Sequence, residues 1–143
     1  MSVLAAIRPD DWNLALFVHI LGAMALVGSL GLVATSIAAD NVRLGFRTLW
    51  IAVIPSWIVM RAGAQWIASK EGVDDIDPTP SWVDIGYSTS EGSFLLLIIA
   101  TICAGIAARR ARGGGLRTAT LVLVGISLAA YVFAIWAMAT KPT

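Results

Sequence analysis

Four long apolar runs constrain the fold of this chain more than any other feature of its sequence. They cover ranges of similar length, about 14–34, 49–69, 92–108 and 116–138. Each run is near the roughly 20 residues that an α-helix needs to cross about 30 Å of hydrocarbon. Because a segment in lipid must satisfy its backbone hydrogen bonds internally, runs of this length are expected to be helices. The sequence therefore predicts an all-α fold, a four-transmembrane-helix bundle.

The composition also indicates lipid as the solvent of this chain. Of its 143 residues, 58% are hydrophobic and 13% are charged, whereas about a quarter of the residues in a soluble domain are charged. The pieces between the runs are too short for a soluble domain, so residues 1–143 are predicted to form a single integral membrane domain. The lipid bilayer is its expected partner, with a homo-oligomer or a larger membrane complex left open. No nucleic acid is expected, because the formal net charge is only +1 and no basic patch is present.

The charges between the runs are unevenly distributed and predict an orientation. Segments 40–48 and 109–117 hold six arginines and one acid, Asp40. The connection 70–93 holds six acids and one base, Lys70, and is predicted to be a solvated loop. Arginine-rich turns remain on the cytoplasmic side of a membrane. We therefore expect a multi-pass protein of the cell membrane with both termini extracytoplasmic (N-out/C-out).

Three polar residues on different helices fall at a similar predicted depth. Arg61 is the one charged residue well inside a run, His19 is the only histidine, and Tyr131 lies at a comparable level in the fourth run. At a rise of about 1.5 Å per residue, His19 and Arg61 lie about 8 and 12 Å below the ends of their runs. A buried arginine normally faces the bundle interior, a water cavity or a partner. The sequence therefore predicts an internal polar layer.

Further polar residues are expected to line this layer: Trp57, Gln65, Thr101 and Ser127. Two of them lie four residues to either side of the arginine and offer its guanidinium a ring for stacking and an oxygen acceptor. The alternative for the arginine is a side chain that extends to the lipid headgroups, and the alternative for the histidine is a neutral ring that bonds a neighbour. No catalytic residue is predicted, and an enzyme is the less favoured interpretation.

The metal and cofactor chemistry open to the chain is narrow. A zinc site needs several ligands, and the runs place no second histidine, cysteine or acid near His19, so no metal site is predicted. Haem b needs only one protein ligand, and His19, Arg61 and Tyr131 would form its site, with the arginine near a propionate.

Pro55 is expected to break and kink the second helix, as in a small transporter or channel. The lack of an acid inside the runs counts against coupling to protons or cations.

The first run, FVHILGAMALVGSLG, resembles the opening of several bacterial four-helix membrane families. Together with WIVMRAGAQW in the second run, the layout looks most like predicted integral membrane proteins of the bacterial inner membrane. It is more distantly similar to copper-resistance D-like proteins and to haem-containing membrane protoporphyrinogen oxidases. This resemblance implies that His19 corresponds to their first-helix histidine. The oxidases also imply a lysine in a later helix, and the third and fourth runs contain none.

These observations lead to one main functional hypothesis and two alternatives. The main hypothesis is a non-catalytic membrane bundle or accessory subunit with an internal layer of histidine, arginine and tyrosine. The first alternative is a membrane redox protein that binds haem b. The second is a small transporter or channel that uses the same polar layer as its pathway.

Small residues along the first helix, including Gly22, Gly28 and Gly31, are expected to permit close helix packing.

Overall fold

The computed structural model describes residues 10–72, 79–110 and 114–140. The helices in these ranges are α1 (Asp10–Ala38), α2 (Val42–Thr48), α3 (Ile54–Glu71), α4 (Ser81–Arg109) and α5 (Gly114–Thr140). A short π-helical segment, Leu49–Val53, joins α2 to α3 without a break. Four helical stretches are long and apolar enough to cross a membrane, namely Leu14–Ala38, Val42–Lys70, Ser81–Arg109 and Gly114–Thr140. The predicted all-α fold with four helices of membrane-spanning length is confirmed.

The start of α4 differs most from the sequence prediction. The third run was predicted to begin near residue 92, but α4 begins at Ser81 and extends over 29 residues. Residues 81–91 are mostly polar, so hydropathy alone does not assign them to a span. They are held in place by packing, because Val83 is buried together with Ala68 of α3. More than half of the predicted loop 70–93 is therefore helix, while its residues 73–78 lie outside the described part of the chain.

The helices are arranged around one apolar core. α1 packs against α3 and α5, α4 packs against α5, and α2 packs against α4. By contrast, α3 and α4 have few direct contacts. The bundle is therefore closed where α2 meets α4 and more open between α3 and α4. Fully buried side chains in the core include Leu26, Leu97 and Val124, and they come from three different helices.

The two ends of the bundle differ in charge. One end, called here the arginine end, holds Arg43, Arg47, Arg109, Arg110 and Arg117. The opposite end, called the acidic end, holds the end of α3, the start of α4 with Asp84, the first residue of α1 and the last of α5. Large apolar side chains are exposed on the outside of all the long helices between these ends. A surface of this kind is typical of a protein that meets lipid or another apolar partner.

The backbones of α1 and α3 lie in direct contact. A Cβ atom on Gly22 would lie 2.5 Å from the backbone nitrogen of Met60, and one on Gly63 would lie 2.7 Å from that of His19. Only glycine fits at these two positions, since real Cβ atoms do not approach so closely. Of the small residues expected to permit packing along α1, Gly22 does so. Gly28, by contrast, has no neighbouring atom within 4 Å of its ideal Cβ position.

At the arginine end, α5 closes the last turn of α1. Asp40 follows α1 in the left-handed conformation, with φ of 66°. Arg117 donates from Nε to the carbonyl of Ile37 at 3.1 Å and from Nη2 to the carbonyl of Ala38 at 3.0 Å, and its Nη1 pairs with Asp40. These carbonyls belong to the last turn of a helix, where acceptors lack partners within the helix. Arg117 thus caps α1 and ties it to α5.

The expected disturbance at Pro55 takes the form of a π turn. Pro55 lies in the first turn of α3, directly after the π segment Leu49–Val53. Proline has no N–H, and its ring crowds the carbonyl four residues before it. The wider turn relieves this crowding, and the N–H of Ile54 bonds to the carbonyl of Leu49, five residues back. The helix therefore continues past the proline.

Candidate functional site

Arg61 extends from α3 toward α4 across the open side of the bundle. Its Nη1 donates to Oε1 of Gln65 at 3.0 Å. Its Nη2 lies 3.8 Å from Oε1 of Glu91, and its guanidinium carbon lies 4.6 Å from the ring centroid of Tyr87. One acceptor, one counter-charge and one aromatic face therefore surround the guanidinium. These four residues are called the arginine cluster below.

Glu91 is, with Tyr87, one of the two members of the arginine cluster that sequence reasoning missed. It was assigned to a solvated loop, but it lies ten residues into α4, about 15 Å from the start of that helix. A candidate span therefore does contain an acid, and the expected absence of acids no longer counts against cation coupling. Two signals in the sequence could have predicted the earlier start of α4. Pro80 directly precedes the helix, and Asp84 lies in its first turn.

Trp57 joins α3 to α4 rather than stacking on Arg61. Its ring stacks on that of Phe94, with centroids 4.1 Å apart and planes inclined by 24°. Its Nε1 donates to the backbone carbonyl of Ser90 at 3.1 Å. The position expected for Trp57, next to the guanidinium, is taken by Tyr87. Long side chains thus bridge the gap that the backbones of α3 and α4 leave.

His19 lies at the contact between α1 and α3. Its Nδ1 lies 2.9 Å from the backbone carbonyl oxygen of Met60, the residue before Arg61. His19 and Arg61 are therefore at one level of the bundle, but they point in different directions, because Arg61 faces α4. When the proton is on Nδ1, it is donated to this carbonyl, and the lone pair of Nε2 is left for another partner.

Behind Trp57, three hydroxyl groups are buried between α4 and α5. Ser90 is 6% exposed, Ser127 is 0% exposed and Tyr131 is 5% exposed. None of the three hydroxyl oxygens has a hydrogen-bond partner within the described residues. The Tyr131 hydroxyl lies beside the side chains of Ser93 and Trp57, outside hydrogen-bond geometry. Most buried polar groups in proteins are paired, and an unpaired one costs about 1–3 kcal/mol.

These three residues, Ser90, Ser127 and Tyr131, are called the hydroxyl cluster below. Deeper in the bundle, the buried hydroxyls are satisfied by their own helices. Thr101 donates to the carbonyl of Leu97 at 2.7 Å, and Thr120 donates to a carbonyl of α5 at 2.8 Å. Thr101 therefore lies below the hydroxyl cluster and does not join it.

The structure separates the expected polar layer into three parts. Arg61 and Gln65 belong to an ionic and aromatic cluster, Tyr131 and Ser127 belong to a neutral cluster, and His19 lies apart on α1. In the ranges 10–72, 79–110 and 114–140, no three His, Cys, Asp or Glu residues group together as a metal site would require. The arrangement is suited to holding helices together and to binding small polar molecules. A comparison with protein-family models, curated proteins and solved structures gives no match.

Proposed function

We propose that this chain is a non-catalytic four-helix protein of the cell membrane, a small bundle or accessory subunit in which the polar layer holds helices together. The engagement of Arg61 by groups of its own chain carries this proposal. A charge inside a membrane needs a partner or a water cavity, and Gln65, Tyr87 and Glu91 supply such partners. The charge is thus used to join α3 to α4, which otherwise have few contacts.

The proposed orientation places the arginine end in the cytoplasm and the acidic end outside. Exposed Arg43, Arg47, Arg109 and Arg110 at one end support it, because arginine and lysine are enriched in cytoplasmic segments. The lengths of α1 and α4 support the proposed crossing of the membrane, since 29 residues span about 43 Å, close to the thickness of a bilayer with its headgroups. In this orientation the arginine cluster lies in the outer leaflet.

The subunit role is tested by measuring the mass of the protein extracted from its own membrane in lipid discs, without detergent. We expect an assembly heavier than one chain with its lipids, formed with a second copy or with another membrane protein. The Arg61→Ala variant serves as the comparison. We expect it to lower the stability of the bundle and to give the protein no new activity. A particle that holds one chain only, at the expression level of the native membrane, would contradict the subunit role.

A haem-b-binding redox protein is the second candidate. The hydrogen bond from His19 Nδ1 to the Met60 carbonyl favours it, because histidines that bind metals through Nε2 commonly donate their other N–H in this way. The expected propionate contact of Arg61 fits less well, since Glu91 already lies beside the guanidinium. A visible absorption spectrum of protein purified after growth with a haem precursor separates the two proposals. We expect a colourless preparation, whereas a Soret band that His19→Ala removes would establish the haem site.

A small transporter or channel is the third candidate, and Glu91 in α4 is the observation that favours it. Proton and cation pathways commonly use an intramembrane acid. Ion flux into liposomes that contain the purified protein tests this candidate, with Glu91→Gln as the variant. Flux that is reduced by Glu91→Gln would support transport and count against the purely structural proposal, while the absence of flux above that of empty liposomes would count against transport.

A further inference from the structure

The hydroxyl cluster of Ser90, Ser127 and Tyr131 consists of buried hydroxyl groups that have no hydrogen-bond partner among the described residues. We propose that these three hydroxyl groups bind water. This site is separate from the structural role of Arg61 and does not depend on it. The ligand is a water molecule or a short chain of them, held by hydroxyl groups alone.

The chemistry of the three side chains matches that of buried water. Each hydroxyl offers one donor and two acceptor lone pairs, and none of them meets a partner among the described residues. A buried water molecule typically makes about three hydrogen bonds to polar groups that would otherwise be unsatisfied. Ser127 and Tyr131 lie four residues apart on α5, which puts them on one face of the helix. Both residues are buried against the rest of the bundle.

Polar groups of α3 and α4 lie next to this site. Glu91, whose side chain is 71% exposed, directly follows Ser90 on α4. Arg61 lies opposite, and its side chain is 25% exposed. Trp57, whose Nε1 donates to the carbonyl of Ser90, lies beside the Tyr131 hydroxyl.

The described residues deeper in the bundle offer no comparable site. Leu97 and Val124 are fully buried, and the hydroxyls of Thr101 and Thr120 bond to carbonyls of their own helices. Among the described residues, these deeper groups therefore offer water no unpaired hydroxyl, and the proposed site is confined to Ser90, Ser127 and Tyr131.

The direct test is water-edited solid-state NMR on the full chain in lipid vesicles, with isotope-labelled tyrosine. The chain has only two tyrosines, so the Tyr131→Phe variant assigns their signals. Tyr87, in the arginine cluster, is the internal reference for a ring near water. We expect magnetisation to pass from water to Tyr131 about as fast as to Tyr87. Transfer to Tyr131 only at the slow rate of spin diffusion through dry protein would overturn the proposal.

A set of variants separates bound water from a purely structural effect. Ser127→Ala removes a hydroxyl that the proposal assigns to water, whereas Thr120→Val removes one that bonds its own helix. We expect Ser127→Ala to slow the transfer from water to Tyr131 and to lower the melting temperature by about 3 °C. Thr120→Val should leave the transfer rate unchanged. If Ser127→Ala instead raises the melting temperature and leaves the transfer unchanged, the hydroxyl is dry and the proposal is wrong.

Discussion

The guanidinium of Arg61 makes three kinds of interaction at once. The amide oxygen of Gln65 accepts a hydrogen bond, the Tyr87 ring offers its negative face, and Glu91 supplies a distant counter-charge. A guanidinium is well suited to this combination, because it is planar and can stack and donate at the same time. Lysine would keep the charge but lose the flat surface and most of the donors. Arg61→Lys should therefore be a poor replacement.

At the scale of single residues, we expect weak coupling between Arg61 and Glu91. Their nitrogen and oxygen atoms are 3.8 Å apart and the Glu91 side chain is largely exposed, so the coupling free energy should be about 0.5–1 kcal/mol. Thermal unfolding of Arg61→Ala, Glu91→Ala and the double variant measures it, with Asp84→Ala in place of Glu91→Ala as the control cycle. Equal coupling in the two cycles would show that the pair is not specific.

The site was only partly predictable from sequence, for a local reason. The charge of Arg61 and its bond to Gln65 follow from the position inside an apolar run and from the four-residue spacing. The partners Tyr87 and Glu91 do not follow, because they lie in a polar stretch that hydropathy assigns to a loop. The burial of Ser90 was missed as well. Ser90 lies in the same polar stretch, and its burial depends on packing between helices.

At the scale of helices, the contact between α1 and α3 depends on two glycines. Since their hypothetical Cβ atoms would meet backbone atoms rather than flexible side chains, the helices would have to move apart to admit alanine. The sequence predicted close packing along α1 but not which glycine makes it. That choice depends on how α1 is rotated toward α3, which a run of small residues does not specify.

We therefore expect Gly63→Ala to destabilise the bundle by about 1–3 kcal/mol through overpacking against His19. Gly28→Ala is the matched control, because its Cβ has open space and alanine is the better helix former by up to about 1 kcal/mol. Unfolding in detergent measures both changes. Equal effects of the two substitutions would contradict the described packing of α1 on α3.

A second expectation at this scale concerns the cap of α1. Arg117→Ala should destabilise the fold by about 2 kcal/mol, because the carbonyls of Ile37 and Ala38 lose a charged donor. Thr118→Ala, on the next residue of α5, is the control, since Thr118 is exposed and bonds within its own helix. The same unfolding assay compares them. A loss with Thr118→Ala as large as that with Arg117→Ala would argue against the cap.

At the scale of the whole molecule, the two ends of the bundle have different chemistry. The arginine end is closed by the α2–α4 contact and by Arg117, whereas α3 and α4 are joined mainly through their side chains. The number of helices of membrane-spanning length could be predicted from sequence, because it follows from apolar length. The order of packing around the bundle could not, since it depends on side chains that meet across helices.

The central claim is a four-span membrane protein with its acidic end outside the cell. Reporter fusions test it most directly, with an enzyme that is active only outside the cytoplasm placed after Thr143 and, in a second fusion, after Arg110. We expect activity from the fusion after Thr143 and none from the fusion after Arg110. A cytoplasmic signal at Thr143 combined with outside activity at Arg110 would reverse the orientation, and equal signals at both sites would contradict the fourth span.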